Sequence, residues 1–191
     1  AFFAASATLV PNSVIVLNRV LANPTRTGVF ATLEKMGAAM ERLNQWDEAG
    51  ELIGNLKIWH QPLKGVIIDE NDVPGLIDEL PIIAILATQA NGKTKVSGAE
   101  ELRVKESDRI HALCKNLKKM GADIEELHDG FIINGPTPLK GADIETFHDH
   151  RIAMAFTIAG LVTDGDVVLD HPECASISFP EFYDVLENLK Q

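Results

Sequence analysis

The sequence predicts an α/β (α+β) fold that forms a single domain over residues 1–191. Short motifs recur in the same order along the chain. LEKMGA at 33–38 returns as LKKMGA at 117–122, and PLKG at 62–65 returns at 138–141. Helical and strand patterns alternate between these motifs. Ordered recurrence of this kind is typical of a fold built from repeated structural units.

Each predicted unit contains the same elements in the same order. A helix ends at Met-Gly, because glycine accepts the left-handed backbone that follows a helix. A polar hairpin and a Pro-Leu-Lys-Gly loop come next, and a helix that is apolar nearly all round, and therefore buried, follows them. A turn and a short β-branched strand close the unit. We expect about two and a half units, the first incomplete, divided roughly as 1–37, 38–121 and 122–191.

Apolar spacing and capping residues predict the individual helices. The incomplete first unit has FFAASATLV at 2–10 as its buried helix and VIVL at 14–17 as its strand. Thr25 or Thr27 is expected to begin the next helix, and Ser107 a later one, because hydroxyl side chains cap helix starts. The later helix carries apolar residues at helical spacing, namely Ile110, Leu113, Leu117 and Met120.

Composition excludes several classes of protein. The formal net charge of −11 argues against a nucleic-acid partner, which needs a basic surface to displace counterions. The longest apolar stretches, at 81–87 and 152–162, are too short to span a membrane. The opening AFFAASATLV has no basic residues before it, so we expect a helix of a longer chain and not a signal peptide.

The thiol and imidazole content predicts a cytoplasmic protein without a metal site. Cys114 and Cys174 are expected to be reduced thiols. Two cysteines and six histidines, with no C-x-x-C or H-E-x-x-H motif, do not make a zinc site. We therefore expect neither a metal nor another cofactor.

The first charged cluster is RVKESDR at 103–109, which we expect to leave a strand and enter a helix. Unpaired N–H groups and the peptide dipoles make a helix start attractive to anions. Lys105, Arg109 and Arg103 would add cations that can grip carboxylate or phosphate. The alternative is a solvated run of charges with pairs four residues apart.

The second and third candidates also lie at helix starts. HDHR at 148–151 precedes an apolar helix, and Asp78 occupies the corresponding position, in the first turn of the apolar helix 79–87, one repeat earlier. Capping by Asp78 and Asp149 is the simpler interpretation. If the helix starts face one another, however, they form a hollow of positive dipoles that suits an anionic ligand.

At these residues the sequence resembles a known family. RVKESDR at 103–109, DHRIAM at 149–154, NPTRTG at 23–28 and SFPEF at 178–182 are similar to the motifs of the EPSP synthase family of enolpyruvyltransferases. The resemblance covers the whole chain, but only the carboxyl-terminal part of an enzyme about twice as long. It implies one lobe of an inside-out α/β barrel built from βαβαββ units, with helix starts pointing into a cleft between two lobes.

The resemblance also implies a reaction and its partners. Phosphoenolpyruvate and shikimate 3-phosphate give 5-enolpyruvylshikimate 3-phosphate (EPSP) and inorganic phosphate. The 5-hydroxyl loses a proton and the methylene carbon of phosphoenolpyruvate gains one, which requires an acid and a base. The missing amino-terminal lobe would supply further cations, so the isolated chain is expected to be inactive.

Roles for individual residues follow only from the resemblance. Asp78 matches the carboxylate at the substrate hydroxyls and would be the general base, and Lys105 matches the lysine that contacts shikimate 3-phosphate and the reacting oxygen. Glu106 would exchange protons with the methylene carbon. Two arginines, Arg109 and Arg151, match those that bind phosphoenolpyruvate. Two further residues, Asp149 and His150, would orient Arg151.

One departure and two alternatives stand beside this interpretation. Some members carry a lysine just before the Phe-Pro motif, where this chain has Ile177. The related enolpyruvyltransferase acting on UDP-N-acetylglucosamine shares the fold, and a non-enzymatic repeat domain could use charged helix starts to bind a protein. Charged side chains gathered on one concave face would favour an enzyme over a binding domain.

Overall fold

A computed structural model describes residues 1–23 and 27–189. Within these ranges the chain forms six α-helices, nine strands and several short 3-10 turns. The helices are α1 (Phe2–Leu9), α2 (Gly28–Lys35), α3 (Leu80–Gln89), α4 (Arg109–Lys119), α5 (His150–Ala159) and α6 (Phe182–Leu189). The strands are β1 (Val14–Leu21), β2 (Ala39–Glu48), β3 (Glu51–Trp59), β4 (Ile67–Ile68), β5 (Gly92–Val96), β6 (Asp123–Leu127), β7 (Gly130–Gly135), β8 (Lys140–Ile144) and β9 (Asp164–Leu169).

The order of elements repeats along the chain. The series α2, β2, β3, β4, α3, β5 is followed by α4, β6, β7, β8, α5, β9, and α1 with β1 precedes both. Gly37 and Gly121 each have a φ of 85° just after a helix, as predicted for the two Met-Gly motifs. Thr27 precedes α2, whereas Thr25 and part of the NPTRTG motif lie outside the described residues.

The described strands form three separate sheets. One has the order β1-β3-β2 with antiparallel neighbours, one the order β4-β5-β7-β6, and one pairs β8 with β9. The pairs β4–β5 and β8–β9 are parallel. Each of these parallel pairs is joined through a buried helix, as parallel strands require a long crossover connection.

Helices α1, α3 and α5 pack against one another at the centre of the domain. In α3 every residue from Leu80 to Thr88 is buried, which agrees with a helix that is apolar on all sides. Because these helices are hidden along their length, their amino ends are the parts that can present polar groups to a ligand.

The start of α4 differs from the sequence prediction in two ways. A 3-10 turn (Glu100–Val104) lies between the preceding strand and the helix, so the charged motif does not leave a strand directly. The predicted cap, Ser107, is wrong: the side chain of Asp108 accepts the backbone N–H of His111 at 2.9 Å. Ser107 instead donates a hydrogen bond to Asp149.

Replacing Asp108 with alanine should lower the free energy of unfolding by about 1 kcal/mol, the usual cost of losing a helix cap. The same change removes the 2.8 Å ion pair of Asp108 with Arg103, which adds little because both side chains are partly exposed to water. Urea unfolding followed by circular dichroism measures the change. The exposed residue Lys118 near the other end of α4 provides the control, since Lys118→Ala should leave the midpoint nearly unchanged.

Candidate active site

The site is organised around the guanidinium of Arg109, the first residue of α4. Its Nε donates to Asp149 Oδ2 at 2.8 Å and its Nη1 to Asp78 Oδ1 at 3.1 Å. Its Nη2 donates to Glu106 Oε2 at 2.6 Å and to Asp149 Oδ1 at 3.4 Å. One cation therefore joins the starts of α3, α4 and α5.

Arg109 is buried and charged. Its side chain is only 1% exposed. Burial alone would lower the pKa of this guanidinium, but the hydrogen bond and charge of Asp149, together with Glu106 and Asp78, raise its pKa above the ordinary value. A buried cation of this kind is tolerated because its partners are charged and its N–H groups are satisfied.

Asp149 is the fully buried partner in this network. It caps α5, as predicted, by accepting the backbone N–H groups of Arg151 and Ile152. Ser107 Oγ donates to its Oδ2 at 3.0 Å. Burial would raise the pKa of Asp149, but the Arg109 guanidinium and the N–H and O–H donors outweigh burial and hold the pKa below its usual range.

Asp78 lies ahead of α3 and not in its first turn, which is where the sequence predicted it. It belongs to a 3-10 turn (Ile77–Glu79), and α3 begins at Leu80. The carboxylate of Asp78 is 46% exposed while it contacts Arg109. Glu106 is similar, at 50% exposed. Both carboxylates thus combine a fixed ionic partner with an open face.

Arg151 links the starts of α3 and α5. Its Nη1 donates to the backbone oxygen of Asp78 at 2.9 Å and to Glu79 Oε1 at 3.0 Å. The Asp149 carboxylate accepts the backbone N–H of Arg151 through Oδ1 and the Nε–H of Arg109 through Oδ2, so it holds the backbone of Arg151.

Other residues singled out in the sequence lie at the margin of this network or outside it. Lys105 donates to Glu101 at 2.6 Å. His150 is buried, and its Nδ1 has no hydrogen-bond partner within the described part of the chain. Ile177 is 71% exposed, at the end of the 3-10 turn Pro172–Ile177.

Arg103 has a structural role that the sequence did not suggest. Its Nε and Nη2 donate to backbone oxygens of the β6–β7 turn, and its Nη1 contacts Asp108 and Glu126. Its charge therefore holds the hairpin and is not available to the site. A single sequence cannot separate this arginine from Arg109, because both have the same charged neighbours.

Sequence reasoning also missed three polar residues that contact the site. They are Glu79, which binds Arg151, Ser107, which binds Asp149, and Glu101, which binds Lys105. All three lie in or near the charged motifs, and this proximity is the only feature of the sequence that points to a place in the site. Their partners depend on how separate helix starts meet in space.

The arrangement can position two carboxylates for proton transfer. Asp78 and Glu106 are bonded to different nitrogens of the same guanidinium, so their oxygens are held at a short, fixed separation. Such fixed carboxylates can act as general acid or base. No cluster of three potential ligand side chains within residues 1–23 and 27–189 could hold a metal ion. Over the same residues, no helix has the length and apolar character needed to cross a bilayer.

The fold is the one found in enolpyruvyl transferases. The enolpyruvyl transferase NikO from Streptomyces tendae superimposes with a TM-score of 0.76, covering 99% of this chain and 41% of that one. At 15% identity that likeness shows the fold alone. The EPSP synthase from Acinetobacter baumannii superimposes more closely, with a TM-score of 0.94 and 41% identity over 98% of this chain and 44% of that one.

The chain belongs to the EPSP synthase (3-phosphoshikimate 1-carboxyvinyltransferase) family, whose profile matches residues 1–186. It is 48% identical to the 3-phosphoshikimate 1-carboxyvinyltransferase of Sulfurihydrogenibium sp., over all of this chain and 44% of that protein. It is also 48% identical to the protein of the same name from Alkaliphilus oremlandii, over 45% of its length. The chain thus spans less than half the length of these relatives, and the family resemblance seen in the sequence is confirmed.

The lowered pKa of Asp149 predicts a loss of stability in acid. A carboxylate whose pKa is lower in the folded state stabilises the fold above its unfolded pKa, about 3.9. We therefore expect this contribution to be present at neutral pH, and to disappear as pH falls from the unfolded pKa through the lower folded value. Urea unfolding at a series of pH values measures the change.

Two variants separate the contribution of Asp149 from general acid unfolding. Asp149→Asn should lower stability at pH 7 and flatten the dependence on pH below about 5. Asp166→Asn, at an exposed position of β9, should leave that dependence as it is. An unchanged acid slope in Asp149→Asn would contradict the ion pair with Arg109.

Proposed function

We propose that this chain forms one lobe of a two-lobed cytoplasmic enzyme that transfers the enolpyruvyl group of phosphoenolpyruvate to the 5-hydroxyl of shikimate 3-phosphate. The products are EPSP and inorganic phosphate. The observation that carries the proposal is the buried guanidinium of Arg109, which fixes Asp78 and Glu106 at one place in a chain of this family. A reaction that removes one proton and adds another can use two such groups, one for each transfer.

The repeated order of elements supports the architecture of that lobe. Two successive series of helix, hairpin, strand, helix and strand, with a partial series before them, agree with repeated βαβαββ units. We propose that the lobe contributes to an inside-out α/β barrel, with units divided near residues 37 and 121. The central helices α1, α3 and α5 would then direct their starts into the cleft between the lobes.

The family resemblance assigns the roles within the reaction, and exposure and contact are compatible with them. By that resemblance Asp78 is the base for the 5-hydroxyl and Glu106 the proton donor and acceptor at the methylene carbon, and both carboxylates keep an open face. Arg151, with 23% of its side chain exposed, can turn toward the carboxylate or phosphate of phosphoenolpyruvate. Lys105 would exchange Glu101 for an anionic substrate oxygen.

The contacts of Arg109 favour a positioning role, whereas the resemblance implies that it binds phosphoenolpyruvate. Its nitrogens already contact three carboxylates, and its side chain is almost fully buried. Any contact with phosphoenolpyruvate would therefore require one of those carboxylates to give way. We propose that its main contribution in the unliganded lobe is to fix Asp78 and Glu106, while Asp149 fixes Arg109 in turn.

Charge balance supports the proposal that this lobe works with a second one. Among residues 1–23 and 27–189, negative side chains outnumber positive ones in the network, since the four carboxylates of Asp78, Glu79, Glu106 and Asp149 pair with two cations, Arg109 and Arg151. Two substrates that carry phosphate and carboxylate groups require an excess of cations. We propose that the missing amino-terminal lobe provides them, so that the chain by itself has no activity.

A chimera tests the proposal directly. This chain replaces the matching 44% of the Sulfurihydrogenibium relative, to which it is 48% identical. We expect the chimera to release phosphate from phosphoenolpyruvate only when shikimate 3-phosphate is present, with EPSP identified by NMR. The 191-residue chain alone should show no release. Turnover by the chimera with UDP-N-acetylglucosamine instead, or turnover by the isolated chain, would overturn the proposal.

A further inference from the structure

The turn that precedes α5 is held by a contact between a buried threonine and an exposed aspartate, outside the catalytic network. Thr146, which is fully buried, donates its backbone N–H to Asp170 Oδ1 at 2.9 Å and its hydroxyl to the same oxygen at 2.7 Å. Its carbonyl accepts the backbone N–H of Asp149 at 3.0 Å. Asp170 follows β9 directly, and its own N–H donates to the carbonyl of Ile144, the last residue of β8.

The backbone between Thr146 and Asp149 has an unfavourable conformation. Phe147 and His148 both have a φ of 55°, a left-handed conformation that residues other than glycine rarely adopt. Two such residues in succession persist only where the surroundings impose them, and such positions cluster at functional sites. Residues 146–149 are therefore held in place and are not a relaxed turn.

Side chains on both sides of the turn supply further restraint. The rings of Phe147 and His111 make a T-shaped contact with centroids 6.3 Å apart, and Lys115 Nζ lies 5.1 Å from the centroid of the Phe147 ring. His148 stacks on His171 with centroids 4.1 Å apart. Side chains of α4 thus contact Phe147, and the segment after β9 contacts His148.

We propose that Asp170 is a positioning residue for the site, because it holds the turn that aims the Asp149 carboxylate at Arg109. The contacts form a continuous series from Asp170 through Thr146 and Asp149 to Arg109, with each step between 2.7 and 3.0 Å. Arg109 in turn holds Asp78 and Glu106. The effect on catalysis rests on the proposed function, whereas the effect on the Asp149–Arg109 contact does not.

The first test measures that contact in the 191-residue chain without any assay of turnover. The apparent pKa of the Asp149 carboxyl is followed by carbon-13 NMR in the wild-type chain and in Asp170→Ala. Loosening of the ion pair should raise this pKa by about 1, since a close arginine lowers an aspartate pKa by about 1–3. Asp170→Asn should behave as wild type, because one amide oxygen can accept both Thr146 donors.

Two further variants keep the test decisive. Thr146→Val removes only the hydroxyl donor and should give a smaller rise, which serves if Asp170→Ala does not fold. Asp166→Ala, at an exposed position of β9, the strand that Asp170 follows, should have no effect. An unchanged Asp149 pKa in folded Asp170→Ala and Thr146→Val overturns the proposal.

Turnover by the chimera gives the second readout. If the chimera without substitutions is active, Asp170→Ala should lower its kcat by about 10- to 100-fold at a temperature where the protein is fully folded. A small misplacement of catalytic groups has an effect of this size. A purely structural role would leave kcat and KM of the folded enzyme unchanged, and that result overturns the proposal. An inactive wild-type chimera with a raised Asp149 pKa in Asp170→Ala contradicts the proposed function and supports the positioning role.

Discussion

Replacing Arg109 with methionine should lower the free energy of unfolding by about 3–5 kcal/mol, the usual cost of leaving a buried charge without its partner. Asp149 has no exposed surface and would keep its negative charge next to an apolar side chain. Asp78 and Glu106 lose a partner too, but both are about half exposed and can be hydrated. Urea unfolding at pH 7 measures the loss.

A double variant identifies the cause of that loss. Arg109→Met with Asp149→Asn removes both charges, and should be more stable than Arg109→Met alone, because no unpaired buried charge remains. Arg19→Met provides a surface control, since Arg19 is 63% exposed in its pair with Glu48; it should change stability by less than about 1 kcal/mol. Equal losses in Arg109→Met and Arg19→Met would show that the buried network contributes nothing special.

In the active chimera, Asp78→Asn and Glu106→Gln should each lower kcat by about 10²- to 10⁴-fold, the range expected when a general acid or base is removed. Each change preserves the shape of the side chain and one oxygen that can still accept a hydrogen bond from Arg109. Stability should therefore change little, and the loss should be confined to the chemical step. Steady-state rates of phosphate release, with thermal unfolding of the same samples, measure both quantities.

Substitution of Asp78 or Glu106 should lower kcat far more than substitution of a surface carboxylate. Glu125→Gln changes an exposed residue of β6 and should leave kcat within about twofold, since substitutions away from the site have small effects. If Asp78→Asn and Glu106→Gln retained activity like Glu125→Gln, the assignment of both proton-transfer roles would fail. If only one retained activity, the other carboxylate would have to serve both steps.

Local features of the fold were predictable because they depend on neighbours in the chain. The Met-Gly helix ends, the apolar stripe of α4 and the fully apolar helix α3 follow from spacing within about 10 residues. Capping of α5 by Asp149 is equally local, since the acceptor and its N–H donors lie two and three residues apart. The motifs RVKESDR and DHRIAM could likewise be found, together with the family that they resemble.

The choice of partners within the site could not be predicted in the same way. Both Arg103 and Arg109 belong to one charged motif, yet Arg103 ties down a hairpin and Arg109 is buried in the network. The position of Asp78 in a 3-10 turn and the use of Ser107 as a donor to Asp149 also depend on how separate segments meet.

By itself the sequence determined the class of fold, the repeated order of helices and strands, and the family. Only the tertiary structure decided that Arg109 joins Asp78, Glu106 and Asp149. Asp78 and Asp149 lie 31 and 40 residues from Arg109 along the chain. Such contacts are set by the packing of whole helices, because burial of their apolar surfaces fixes where their ends meet, and no local pattern of residues records that position.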